Sequence, residues 1–228
     1  MRSTFSTPFD EEYAKRCISL AFPELNWMLV VRDDDPPDLL DIDKSISVEV
    51  VRAVTEKDAE LSNTYAQYSN RNIRDVPPKL LRKVENKHAG LICDDKDNII
   101  GASFPVKHDL CGIIKERIIR KTEVLNSDRY PYFETDCVFV FNSDGFCFEN
   151  ELLKLMQEIE YECKRFSRQF KIIFIYCAHE MYLCNQEKKT VKVSCISDNE
   201  IELMKKDTLI SIGRGEEYKR KSDFIIKE

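Results

Sequence analysis

Apolar positions recur at helical spacing over residues 9–21 (FDEEYAKRCISLA), with acids in the first turn, and predict an amphipathic helix. A short run, WMLVVR at 27–32, is rich in strand formers. DDDPPDLLDID follows, where a double proline forbids helix and marks a turn. Leu39 and Leu40 suggest a brief strand, and Asp43-Lys44 a hairpin turn. SISVEVVRAV at 45–54, dense in β-branched residues, is the clearest strand of the chain. Helices are expected over 56–70 and 78–87, separated by Pro77-Pro78. A short hairpin over 89–101 turns at Asp95-Lys96-Asp97-Asn98. The remaining pattern predicts helix 110–126, strand 137–142, a long helix 149–168 and strand 171–177. Residues 180–184 extend or repeat that last strand, and 191–196 add another. Helices alternating with strands imply an α/β fold with a central mixed sheet flanked by helices. We expect a single domain over 1–212 and a charged tail over 213–228.

Composition narrows the class. With 228 residues, 43% of them hydrophobic, the chain can bury a real core. No run of eighteen apolar residues occurs and the first sixteen residues lack a signal-peptide middle, so we expect a cytoplasmic protein without membrane partners. The nine cysteines include no C-x-x-C pair, and several lie inside apolar runs. They read as reduced, mostly buried thiols. His88, His108 and His179 lack zinc-knuckle spacing.

Charge is unevenly spread. Residues 1–62 hold fourteen acids against seven Lys/Arg. Residues 71–90 hold six Lys/Arg (including Lys79, Arg82, Lys83 and Lys87) against Asp75 and Glu85. Acids can hold a cation and bases can hold phosphates, although on charge alone a solvated helix face is the better reading of the basic run.

The candidate chemistry lies in Pro37-Asp38 and in Glu49 within SISVEVV. Strand alternation puts Ser47, Glu49 and Val51 on one face, and Val48, Val50 and Arg52 on the other. A carboxylate inside so apolar a strand is costly to bury without a cation or hydrogen bonds. Paired across a hairpin, Asp38 and Glu49 could hold Mg²⁺ or Mn²⁺, hard cations that prefer oxygen ligands.

This arrangement resembles the PD-(D/E)xK nuclease superfamily. Pro37-Asp38 matches the first motif element and Glu49 the acid of the second, while SVEVVRAV is similar to variants in bacterial and phage proteins. IIRKTEVLNSDRYPYFETDCVFVF also looks like the family's lysine-bearing helix that leads through a tyrosine to a strand. The resemblance spans roughly residues 10–180. It implies a restriction-endonuclease-like core, metal-dependent hydrolysis of DNA or RNA phosphodiesters, and a phage, mobile-element or defence role. The motif lysine is replaced by Val51. Either a lysine has migrated, with Lys121 first choice and Lys44 second (Lys57 a further candidate), or the protein binds nucleic acid or a protein partner without cutting; a protein partner or a homodimer is among the expected partners in either case. Arg52 points to the wrong face to substitute. The resemblance also makes Glu12 a candidate first-helix acid, though it shares a helix face with Arg16. Lys79, Arg82 and Lys83 are the expected nucleic-acid contacts. His179-Glu180, Cys177, and Tyr65-Gln67-Tyr68 are weaker candidates whose bland reading is structural.

Overall fold

The computed structural model describes residues 7–32, 36–84, 90–103, 109–142 and 148–214. His88, His108, Lys87, Glu85, Cys147 and nearly all of the expected tail lie outside the described residues, as does the side chain of Lys57. The chain divides into two compact units, one formed by Met1–Ala53 with Ile114–Glu228 and the other by Val54–Ile113. Among the described residues, no helix is long and apolar enough to cross a membrane.

The first unit is α/β. Its strands are β1 (Val30–Val31), β2 (Leu39–Asp41), β3 (Ile46–Arg52), β6 (Thr135–Asn142), β7 (Ile172–Cys177), β8 (Glu180–Asn185) and β9 (Thr190–Cys195). They form one mixed seven-stranded sheet in the order β1-β2-β3-β6-β7-β8-β9. The two flanks are antiparallel meanders and the central trio β3-β6-β7 is parallel. A parallel trio is covered on both faces, which accounts for the near-continuous apolar runs of its strands. α1 (Pro8–Ala21) and α6 (Asp198–Ser211) join the core on one face, with Val48, Val50, Phe139 and Phe174. Phe139 and Phe174 are fully buried, each worth about 1.5–3 kcal/mol in surface removed from water. On the other face lie α4 (Leu110–Leu125), which crosses the boundary between the units, and α5 (Glu149–Cys163). These two helices are linked by Cys163 Sγ, 3.7 Å from Thr122 Oγ1.

The second unit holds α2 (Glu56–Tyr68), α3 (Pro78–Val84) and the hairpin β4 (Gly90–Cys93) and β5 (Ile99–Ser103). Leu61 and Val84 form its small core, with Leu80, Leu91 and Ala102 against them.

Three elements depart from the sequence expectation. The strand at 27–32 shrinks to two residues, because Asn26 is left-handed (φ 50°) and the Met28 N–H donates to the Asp41 carboxylate (2.8 Å) instead of to a ladder. The helix from 149 ends at Cys163, short of 168. There the chain turns and Arg168 is claimed by Asn126, whose amide side chain bonds both its N–H and its carbonyl at 2.9 Å. Residues 198–211, for which the pattern predicts no element, form α6, opened by a capping box between Ser197 and Glu200.

Candidate functional site

The antiparallel register of β2 on β3 pairs Leu39 with Val48, so the next step outward sets Asp38 opposite Glu49. Asp38 follows a cis Pro36-Pro37 bond. Its backbone carbonyl accepts from Arg32 N (3.0 Å) and its Oδ2 accepts from Val50 N (2.7 Å). The side chain of Asp38 keeps some solvent contact, whereas Glu49 is only 1% exposed. β2 on one side and β6 on the other shut Glu49 in; its parallel neighbour on β6 is Val138.

The cation between the two carboxylates is the ammonium of Lys121. Its Nζ donates to Glu49 Oε2 and lies 3.5 Å from Asp38 Oδ2. The buried residues of α4 are Ile114, Arg117, Ile118, Lys121, Thr122 and Leu125, a stripe at helical spacing. Lys121 sits inside that stripe, so the helix's own packing carries its amine to the sheet. Burial works to lower the pKa of Lys121, but the charges of Glu49 and then Asp38 outweigh it and hold the value above the ordinary one. Burial pushes the Glu49 carboxyl up, Lys121 opposes this and Asp38 reinforces it. Raised values on both partners pull against each other, since a protonated Glu49 would strip Lys121 of its nearer counter-charge. The geometry favours the ion pair, because an ammonium between two carboxylates suits a charged Glu49.

Beside this trio runs a second buried polar cluster. Ser47, two residues before Glu49 on the same face, donates to Asp136 Oδ1 at 2.7 Å from the neighbouring strand β6. Arg168 closes on both oxygens of Asp136, from Nη2 at 2.9 Å and from Nε at 3.3 Å. Its guanidinium also lies 5.3 Å from the ring centroids of Tyr130 and Tyr132. Tyr130 is 6% exposed. Its hydroxyl lies beside Glu49 and Ser47 and interacts with both, outside full hydrogen-bond geometry, and it feels the Glu49 charge. Burial pushes its pKa up, so it stays a proton donor. Asp136, Arg168 and Tyr130 were not candidates from sequence. Asp136 opening the apolar run CVFVF carried a signal; Arg168, in a loop without pattern, carried none.

Other candidates go elsewhere. Lys44 does not reach the site: the turn it occupies aims its ammonium at the backbone carbonyls of Asn26 and Leu25. Glu12 pairs with Arg16 (2.9 Å) and Lys15 (2.6 Å) on its own helix, and α1 packs on the face of Val48 and Val50 rather than that of Glu49. Arg52 bonds Asp10 of α1, as strand alternation requires. His179 falls in the turn after β7 rather than on the strand, 3.6 Å from Asp198 and well exposed. Cys177 is buried and takes a contact from Asn142 at 3.1 Å. Tyr65 bonds the carbonyl of Ile100 within the second unit at 3.4 Å. Lys79, Arg82 and Lys83 are exposed on α3 of the second unit, where Lys83 pairs with Glu60 at 2.7 Å.

Among the described residues, no group of three or more His, Cys, Asp or Glu side chains is placed to hold a metal. The Asp38–Glu49 pair nonetheless fits a hard divalent cation. Mg²⁺ keeps several waters and takes about one or two protein carboxylates, and Glu49 Oε1 is a buried oxygen without a hydrogen-bond partner. No protein-family model, curated protein or solved structure matches the chain.

Proposed function

We propose that the protein is a metal-dependent nuclease whose site is Asp38, Glu49 and Lys121, with Lys121 standing in for the strand lysine that Val51 displaces. The observation that carries this reading is the Lys121 ammonium lying between two carboxylates, one on β3 and the other just before β2, which the β2–β3 register brings opposite each other. Asp38 and Glu49 would hold Mg²⁺ or Mn²⁺, which supplies electrophilic stabilisation of charge at a phosphoryl oxygen. Asp38, the more open of the two, faces the substrate side. Its carboxylate is oriented by the Val50 N–H before any ligand arrives. Lys121 brings a positive charge that does not depend on the metal. Released in part from Glu49, it would stabilise negative charge developing on the phosphate. Exposed Lys79, Arg82 and Lys83 would add contacts to the nucleic-acid backbone that are insensitive to sequence.

The test is cleavage of single- and double-stranded DNA and RNA with Mg²⁺ or Mn²⁺. Wild type should cut and chelator should stop it. Asp38→Asn, Glu49→Gln and Lys121→Ala should each lower the rate by about 10²–10³, the loss typical when one preorganised stabilising group is removed. A second reading, a nuclease-fold protein that binds nucleic acid without cutting, is favoured by the hydrogen bond that already ties Lys121 to Glu49 Oε2. Salt-sensitive binding with no cleavage under any of these conditions would select it.

A further inference from the structure

Two buried polar atoms at the site lack hydrogen-bond partners: Glu49 Oε1 and the Tyr130 hydroxyl. One is an acceptor and the other a donor, and Tyr130 is close enough for the Glu49 charge to act on it. Leaving such groups unsatisfied costs about 1–3 kcal/mol each, which favours closing a buried donor onto the buried acceptor beside it. The surroundings hold Tyr130 firmly. Arg168 stacks on its ring and is itself locked by Asp136, while the Tyr130 N–H bonds Ser127 O at 3.0 Å. Tyr130 is also only nine positions beyond Lys121 along the chain, so one segment delivers both groups to the same carboxylate.

We infer that Tyr130 is a positioning residue for Glu49: its hydroxyl serves the oxygen that Lys121 leaves free and fixes how the carboxylate is turned between Asp38 and Lys121. Glu49 is thus gripped at both oxygens, Oε2 by an ammonium and Oε1 by a neutral donor. Ser47 lies beside Tyr130 but keeps its own proton on Asp136, so it does not compete as a donor for Glu49. The inference rests on the nuclease reading only where it concerns metal binding and rate. The contact with Glu49 stands apart from it.

Tyr130→Phe removes the hydroxyl and leaves the ring under Arg168. The full-length protein is followed by three readouts: thermal unfolding of wild type, Tyr130→Phe, Glu49→Gln and the double variant; Mn²⁺ affinity; and kcat against KM. The unfolding shifts of the single variants should not add in the double variant, because both cut the same link. Mn²⁺ affinity and kcat should fall about tenfold with KM unchanged, as when a group that orients a metal ligand is removed. A role in packing alone would move the unfolding temperature and leave Mn²⁺ affinity and the kcat/KM split where they were. Additive unfolding shifts would overturn the inference, as would a Tyr130→Phe protein with wild-type Mn²⁺ affinity beside a Glu49→Gln protein that has lost it. If wild type neither binds Mn²⁺ nor cuts, the nuclease reading fails, and the unfolding cycle alone decides whether Tyr130 serves Glu49.

Discussion

Lys121 is the cation that a nearly fully buried carboxylate depends on. It is the sole hydrogen-bonding cation on Glu49 among the described residues, and Glu49 is almost wholly out of water. Replacing Lys121 by Met keeps the apolar stem and abandons two carboxylates. Removing one partner of a buried pair costs about 3–5 kcal/mol, so Lys121→Met should unfold well below wild type at neutral pH. The sign of its pH dependence follows from Glu49. Burial raises the Glu49 pKa, and without Lys121 only the Tyr130 hydroxyl opposes the rise. A group whose pKa is raised in the folded state adds stability below its unfolded value and loses it as pH climbs through the folded value. Relative to wild type, the Lys121→Met deficit should therefore shrink as pH falls from 8 toward 5, measured by denaturant unfolding. A deficit that stays constant over that range would contradict a charged, uncompensated Glu49. In sequence, Lys121 was legible because a long-stemmed lysine sits on an apolar helix running into a core strand. Lys44 misled because turn residues have near neighbours that sequence does not show: here, backbone carbonyls left free where the chain turns at Asn26.

At the scale of elements, the cation beside Asp38 and Glu49 comes from helix α4 and not from strand β3. Val51 lies on the Glu49 face of β3 and is 2% exposed, so it occupies core that a strand-borne lysine would otherwise cross. Val51→Lys alone should destabilise the protein by several kcal/mol, since it buries a second ammonium beside the first. Combined with Lys121→Ala, the same substitution should recover stability, because one cation again serves two carboxylates. Equal losses in the single and double variants, read by thermal unfolding, would show that the two positions do not reach the same point. The strands and most helices were legible from periodicity. α6 was not, although Ser197 and Glu200 stand three apart as a capping box should. Ser197→Ala should cost about 1 kcal/mol, checked by denaturant unfolding. The Asp136–Arg168 pair was illegible because it joins the start of a strand to a loop more than thirty residues away, a closeness created only by the parallel β6-β7 pairing.

Over the whole molecule, net charge is −6, and the charge a nucleic acid would meet first is local. Lys79, Arg82 and Lys83 project from α3 of the second unit, and Lys83 is already engaged by Glu60. Replacing all three by Ala should weaken nucleic-acid binding and flatten its salt dependence, lowering the slope by about 0.7–0.9 for each phosphate no longer neutralised. Lys79 and Arg82 should account for most of the change. An unaltered salt slope would remove α3 from the interface while leaving the site itself untouched. The central claim, that Asp38 and Glu49 form a divalent-cation site beside Lys121, is tested most directly by titrating the protein with Mn²⁺ and following free ion by electron paramagnetic resonance. The account predicts a saturable Mn²⁺ site in wild type that disappears when Asp38→Asn and Glu49→Gln are combined in a protein that remains folded. Absence of saturable binding in wild type, or binding unchanged in that double variant, would contradict it.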